Sequence, residues 1–181
     1  MIKNEYTEKN IAEKIRAGDQ CAFEKMFLSY YSKLCVFSNS HVKSLDVARD
    51  VVQEVFIKIW DSHKEFEIRH SLKAYLYQAV RNQSLNYIEK NKQKRRLTNR
   101  LRKYEDLLKE ENPSNLNTEE LTQKIWKLVD ELPERRRSIF ILYRKHGLSY
   151  KEIAEVMGIK RKTVENQMGK SLIFLRERLD L

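Results

Sequence analysis

The sequence predicts an all-α protein: two small helical domains joined by a flexible linker. Three observations carry this. Glycine and proline are scarce, four and two among 181 residues. Gly-rich phosphate loops, βαβ dinucleotide folds and turn-dense β-sandwiches need more of both. Apolar residues recur at three- and four-residue steps along most of the chain, which is the spacing of one helix face. A polar stretch around Pro113 then separates two such periodic blocks. Hydrophobic residues make up 41 % of the chain, enough for a core and against wholesale disorder.

The first short helix is expected after Thr7, which can cap it, and it carries Ile11 and Ile15 before a stop at Gly18. Asp19 then caps a second helix. Phe23, Phe27, Tyr30, Tyr31, Leu34 and Phe37 form its apolar stripe, and Ser38 to Ser44 reads as a polar break. The third helix is expected from about Leu45 to Trp60. Val47, Val51, Val55, Phe56, Ile59 and Trp60 line one side, and Asp46, Asp50, Gln53 and Glu54 line another. Two such stripes suit an antiparallel hairpin.

After the polar segment Asp61 to His70, a fourth helical pattern runs from Ser71 to about Arg96. It opens with Leu72, Tyr75, Leu76, Ala79 and Val80 and ends basic: Arg81 to Lys103 holds nine Lys and Arg against the single acid Glu89. The domains are therefore drawn at residues 1–96 and 119–181, with 97–118 as the linker. A flexible chain of about 20 residues spans about 25 Å on average and up to about 66 Å extended.

The last third reads as four helices. Leu121, Ile125, Leu128 and Val129 stripe the first, and Leu132-Pro133 ends it, with Pro133 suited to the first turn of the next. Ile139, Leu142 and Tyr143 stripe the second, which ends before Gly147. Ser149 and Glu152 form a capping box for the third. From Tyr150 to Lys170 the spacing is that of a helix-turn-helix. Ala154 allows a close crossing, Gly158 tolerates the positive φ of the turn, and Ile159 anchors it. Val164, Met168, Leu172, Leu175 and Leu179 would bury one face of the last helix. Arg161, Lys162, Thr163, Glu165, Asn166 and Lys170 are left to meet a major groove. Lys160 departs from the pattern, because Ser or Thr caps better there.

Charge narrows the function class. Lys and Arg total 36 and Asp and Glu 26, a formal net charge of +10, which suits a polyanionic partner. The opening residues hold no apolar signal-peptide core, and the longest apolar run, Ile139 to Tyr143, falls far short of a bilayer span. A cytoplasmic protein without membrane insertion is expected. Cys21 and Cys35 are too few for a disulfide framework and read as buried thiols. No Cys or His pair has zinc-ligand spacing, and no metal or cofactor is expected.

Asp50, Gln53 and Glu54 share one helix face at i, i+3 and i+4, with Asp46 a turn earlier. That acidic stripe fits a docking surface for a basic partner, a plain solvated face, or metal-binding carboxylates. In the fourth helix and just before it, Phe66, Tyr75, Tyr77 and Tyr87 interleave with Arg69, Lys73, Arg81 and Asn82. Rings beside cations suit single-stranded or melted DNA. The competing reading puts Tyr75 and Tyr87 in the core. Asn82 and Asn86 are candidate base readers on the same helix.

These motifs together resemble the sigma-70 family of bacterial sigma factors, in its compact extracytoplasmic-function form with regions 2 and 4 only. Asp50-Val-Val-Gln-Glu-Val-Phe-Ile-Lys-Ile-Trp60 is similar to the family's clamp-binding helix. The resemblance implies that Asp50, Gln53 and Glu54 contact the β′ clamp of core RNA polymerase. Ser71 to Asn82, continuing to Asn86-Tyr-Ile, is similar to the helix that melts and reads the −10 element. It implies a base pocket near Phe66, Arg69, His70, Lys73, Asn82 and Asn86. Leu132-Pro-Glu-Arg-Arg-Arg and Tyr150 to Gly158 resemble region 4, which meets the β flap and reads the −35 element. Thr163-Val-Glu-Asn-Gln-Met resembles the version common in Bacteroidetes, where a membrane-anchored FecR-like anti-sigma factor is a frequent partner. The implied function is promoter recognition, with core polymerase and promoter DNA as partners and no covalent chemistry. A stand-alone helix-turn-helix regulator is the alternative, and it leaves the first half unexplained.

Overall fold

The computed structural model describes residues 8–68, 71–98 and 118–179. These hold eight α-helices: α1 (Glu8–Arg16), α2 (Gln20–Val42), α3 (Leu45–Asp61), α4 (Leu72–Thr98), α5 (Thr118–Glu131), α6 (Glu134–Arg144), α7 (Tyr150–Met157) and α8 (Arg161–Leu179). A 3-10 turn, His63–Glu65, sits between α3 and α4. No strand occurs among the described residues. The chain divides into two units, Met1–Asn99 and Arg100–Leu181.

In the first unit α1 stops at Gly18, whose φ of +84° needs a residue without a Cβ. Asp19 Oδ1 accepts from the Ala22 amide at 3.0 Å and opens α2. α2 and α3 run antiparallel: the Phe23 ring lies 4.9 Å from Trp60, and Phe27 lies 4.9 Å from Phe56. Ser44 caps α3, and Ser71 Oγ accepts from the Ala74 amide at 3.3 Å at the start of α4. α4 closes the core with Leu72, Leu76, Tyr77 and Val80. Thr7 lies outside the described residues.

Several expectations need correction here. Ser38 to Val42 is the last part of α2, not a break. Ser38 is buried with its hydroxyl on Ser84, and Ser40 Oγ donates to the Phe37 carbonyl at 2.7 Å, so these polar side chains are satisfied without leaving the helix. The turn falls instead at Lys43, which adopts left-handed backbone (φ +59°). The α2 core face is also rotated: Ala22, Met26 and Cys35 are buried, while Phe23, Phe27, Tyr30 and Tyr31 are only half-buried. Cys21 is therefore exposed, and only Cys35 is a buried thiol. Ala48 and Val52 join the α3 core. α4 continues through Thr98, two residues into the segment read as linker.

In the second unit Leu128, Val129, Ile139, Leu142 and Ile153 form the core with Val164 and Met168 of α8. Arg178 reaches from α8 to Glu131 of α5 at 2.6 Å. Pro133 stands just before α6 as its N-cap rather than inside the first turn. Two stripe positions are corrected. Leu172 is 54 % exposed and Ser171 is buried in its place. The register 164, 168, 171, 175 keeps closer to the helical period, and the Ser171 hydroxyl donates to the Gln167 carbonyl at 2.9 Å. Phe140 is buried and Tyr143 is not. Tyr143 instead tilts against Tyr150, with ring centroids 5.1 Å apart.

Candidate nucleic-acid interface

Burial of Val51, Val52, Val55 and Phe56 fixes the rotation of α3. Asp46, Asp50, Gln53 and Glu54 consequently face solvent. Glu54 pairs with Lys58 one turn on at 2.8 Å, and Lys58 donates to Gln83 Oε1 of α4 at 3.2 Å. The hydrogen bond from Lys58 holds the Glu54 carboxyl below its usual range. Gln53 bonds the Tyr31 side chain, whose hydroxyl is itself pushed up by burial. Asp46 pairs with Arg49 at 3.2 Å. Asp46 and Glu54 are thus each turned to a cation of their own helix, which argues against a shared metal. Sequence reasoning missed Ile57, 58 % exposed on the same face as Asp50, Gln53 and Glu54. The signal was available: an apolar residue seven after Asp50 and three after Glu54 belongs to the acidic stripe, not the core stripe.

The segment before α4 is built differently from expectation. Phe66 is buried, 4 % exposed, with its ring edge-to-face on Tyr75 at 5.3 Å. It supports the segment and does not offer an open face to a base. Its carbonyl accepts from Arg16 Nε at 3.1 Å and Nη2 at 3.0 Å. Arg69 and His70 lie outside the described residues. Lys73 is half-buried near the start of α4, and Asn82 and Asn86 are exposed one turn apart. Gln78 and Lys90 are exposed at the neighbouring i−4 and i+4 positions, so the polar line is longer than predicted. Tyr77 does not belong to it. Tyr77 is fully buried with its ring 5.0 Å from Phe37, and burial pushes its hydroxyl far up. Tyr75 is half-buried, its hydroxyl also raised by burial. Tyr87 is partly exposed. The side chains of Lys94, Arg95 and Arg96, and all of Arg100, Arg102 and Lys103, lie outside the described residues.

The helix-turn-helix is built from α7 and α8. The capping box has both arms: the Ser149 amide donates to Glu152 Oε2 at 2.8 Å, and the Glu152 amide donates to Ser149 Oγ at 3.3 Å. Gly158 ends α7 at φ +62°. The Ile159 amide reaches back to the Ala154 carbonyl at 3.0 Å, a Schellman-type closure. Burial of Val164, Met168 and Leu175 turns the other face of α8 outward. Arg161, Lys162, Asn166 and Lys170 are exposed there, and Thr163 and Glu165 are half-buried. Glu165 binds two of these cations, Arg161 Nε at 3.0 Å and Lys162 Nζ at 3.7 Å. Arg136 of α6 donates to Gln167 Oε1 at 3.4 Å and steadies α8 from behind.

Comparison with known proteins follows this division. The family model for sigma-70 region 2 matches residues 26–95, and that for sigma-70 region 4 matches residues 122–175. The chain is 30 % identical to the ECF RNA polymerase sigma-E factor of Escherichia coli K12 over 99 % of its length and 95 % of that protein. It is 28 % identical to the Haemophilus influenzae sigma-E factor over 92 % of each. Two solved structures share the fold. CnrH in complex with the cytosolic domain of CnrY has a TM-score of 0.66 at 21 % identity, covering 96 % of this chain and 97 % of that one. The Bartonella quintana sigma factor RpoE in complex with the anti-sigma factor NepR has 0.65 at 23 %, covering 88 % and 97 %.

Proposed function

Because this chain belongs to the sigma-70 family, as an extracytoplasmic-function sigma factor, it is a promoter-specificity factor for transcription initiation, and we propose how its residues divide that work. The observation that carries the division is the order of parts. An acidic, solvent-facing α3 and a polar α4 lie in one unit, and a complete helix-turn-helix lies in the other.

Asp50, Gln53 and Glu54, with Ile57 beside them, dock on the β′ clamp of core RNA polymerase. The acids supply complementarity to a basic partner, and the exposed Ile57 adds apolar area. Region 2 takes in α4 as far as Thr98, and region 4 begins with α5 at Thr118, with the residues between them as the link. Region 4 meets the β flap and lays α8 in the major groove of the −35 element. Arg161, Lys162 and Lys170 meet phosphates there, and Thr163, Glu165 and Asn166 face base edges.

At the −10 element Asn82 and Asn86 read unstacked bases, and Lys73, Arg69 and His70 hold the strand, with Phe66 supporting the backbone beneath. Extruding a base costs a few kcal/mol, which contacts to the strand offset. The chain works in the cytoplasm and performs no covalent step, and no cofactor or metal enters. One structural neighbour is bound to the anti-sigma factor NepR and the other to the cytosolic domain of CnrY, which supports an anti-sigma partner here. We assign it to the membrane-anchored FecR-like class from the Thr163 to Met168 motif.

Run-off transcription tests the reading. Core polymerase with this chain should start at discrete promoters that core alone ignores. Tight duplex binding by the chain alone, without any gain in initiation, would instead mark a stand-alone regulator.

A further inference from the structure

Arg16 is the last residue of α1. Its guanidinium places two donors on one acceptor, the Phe66 carbonyl, at 3.1 and 3.0 Å across 50 residues of sequence. That carbonyl lies between the 3-10 turn and α4, in backbone with no helical ladder to hold it. Other contacts fix Phe66 and the turn before it. The Phe66 ring is buried against Tyr75, and the Phe66 amide donates to the His63 carbonyl at 3.0 Å. His63 stacks on Trp60, its Nδ1 2.8 Å from the Trp60 carbonyl. At the end of α1, Gly18 is so close that a Cβ there would lie 3.8 Å from His63 Nε2. Phe66 is therefore pinned from inside by its ring and from the α1 side by a charged fork. Connecting segments are ordinarily the most mobile parts of a fold, yet a recognition site must hold its groups within about 0.5 Å.

We propose that Arg16 is a positioning residue for −10 recognition. It touches no base and acts through Phe66, whose ring packs on Tyr75, setting where the first turns of α4 meet the strand. The inference rests on the reading that α4 recognises the −10 element.

The test uses polymerase reconstituted with the full chain as wild type, R16A, R16K and N82A. Each selects from a promoter library randomised in both elements. R16A should lower base discrimination in the −10 element about five-fold or more. Discrimination in the −35 element and affinity for core polymerase should stay unchanged. R16K keeps the charge but not the planar fork, and should fall between R16A and wild type. An R16A profile equal to wild type overturns the proposal, and so does an equal loss in both elements. Should R16A fail to fold by circular dichroism, R16K decides by the same criterion. The underlying reading fails separately if N82A leaves −10 preferences untouched.

Discussion

The hydroxyl oxygens of Ser38 and Ser84 lie 3.0 Å apart in the core, joining α2 to α4. Ser84 also donates to the Val80 carbonyl at 2.8 Å. A hydroxyl has one proton, so Ser84 accepts from Ser38. Both side chains are fully buried, and an unmet buried donor costs more than an unused lone pair.

Truncation should therefore be asymmetric. S84A strands the Ser38 donor and should cost about 1–3 kcal/mol. S38A leaves Ser84 its bond to Val80 and should cost less. The double variant should cost less than the sum of the two. Urea unfolding followed by Trp60 fluorescence in a W126F background measures all three. Equal costs would contradict the donor assignment.

Glu165 organises the outward face of α8 by pairing with both Arg161 and Lys162. In the proposed −35 complex these cations would exchange a carboxylate for phosphates. R161A/K162A should weaken holoenzyme binding to a −35 duplex and lower the salt slope by about 0.9 for each phosphate no longer neutralised. E165Q should move the other way, tightening binding to unrelated duplex more than to the cognate one. Fluorescence anisotropy across a KCl series reads both. An unchanged slope in the double variant would take this face off the DNA.

What was legible in the sequence depended on whether one local pattern decided the outcome. The helix-turn-helix was legible because Ser149, Glu152, Ala154 and Gly158 are each required by local geometry, and all four occupy their expected places. The acidic face was legible because Val51, Val55 and Ile59 fix the rotation of α3. The end of α2 was not. Ser38 looks like a breaker until Ser84 is brought to it from 46 residues away. Tyr77 looked like a base-stacking ring until Phe37 enclosed it. Leu172 and Ser171 exchanged roles because a one-residue choice of register lies within the ambiguity of a 3.6-residue period. The Arg16 hydrogen bonds to Phe66 have no local signature, since they join a side chain to a backbone carbonyl far along the chain.

Tyr77 gives a pH prediction. Burial raises its pKa above the ordinary value of 10.0, so the folded state favours the neutral phenol. Its contribution is fully present below about pH 10 and is lost as pH rises toward the folded value. Above pH 10 the unfolded chain can ionise this group and the folded one cannot. One such group steepens the alkaline fall in stability by up to about 1.4 kcal/mol per pH unit. Y77F removes that contribution. Whatever it costs at pH 7, its stability should fall less steeply than wild type between pH 10 and 11. Parallel slopes in urea titrations at the two pH values would show that Tyr77 ionises as freely in the folded protein.

The proposed docking role of α3 can be separated from its structural role because the residues concerned face solvent. Asp50 and Glu54 are exposed, and the Glu54 to Lys58 pair at 2.8 Å is an i,i+4 surface pair, a kind worth only about 0.3–0.5 kcal/mol. D50K/E54K should therefore keep the helical circular dichroism and denaturant midpoint of the wild type within about 1 kcal/mol. The same variant would place two cations opposite the proposed basic partner, where like charges cost several kcal/mol. Its affinity for core polymerase should fall at least about a hundred-fold. I57D probes the apolar part of the face, and should weaken binding with only a small effect on stability, since more than half of Ile57 is exposed in the folded chain. Capture of core polymerase by the immobilised variants reads the outcome. Normal capture by D50K/E54K would remove α3 from the polymerase interface, and normal capture by I57D would leave that interface purely electrostatic.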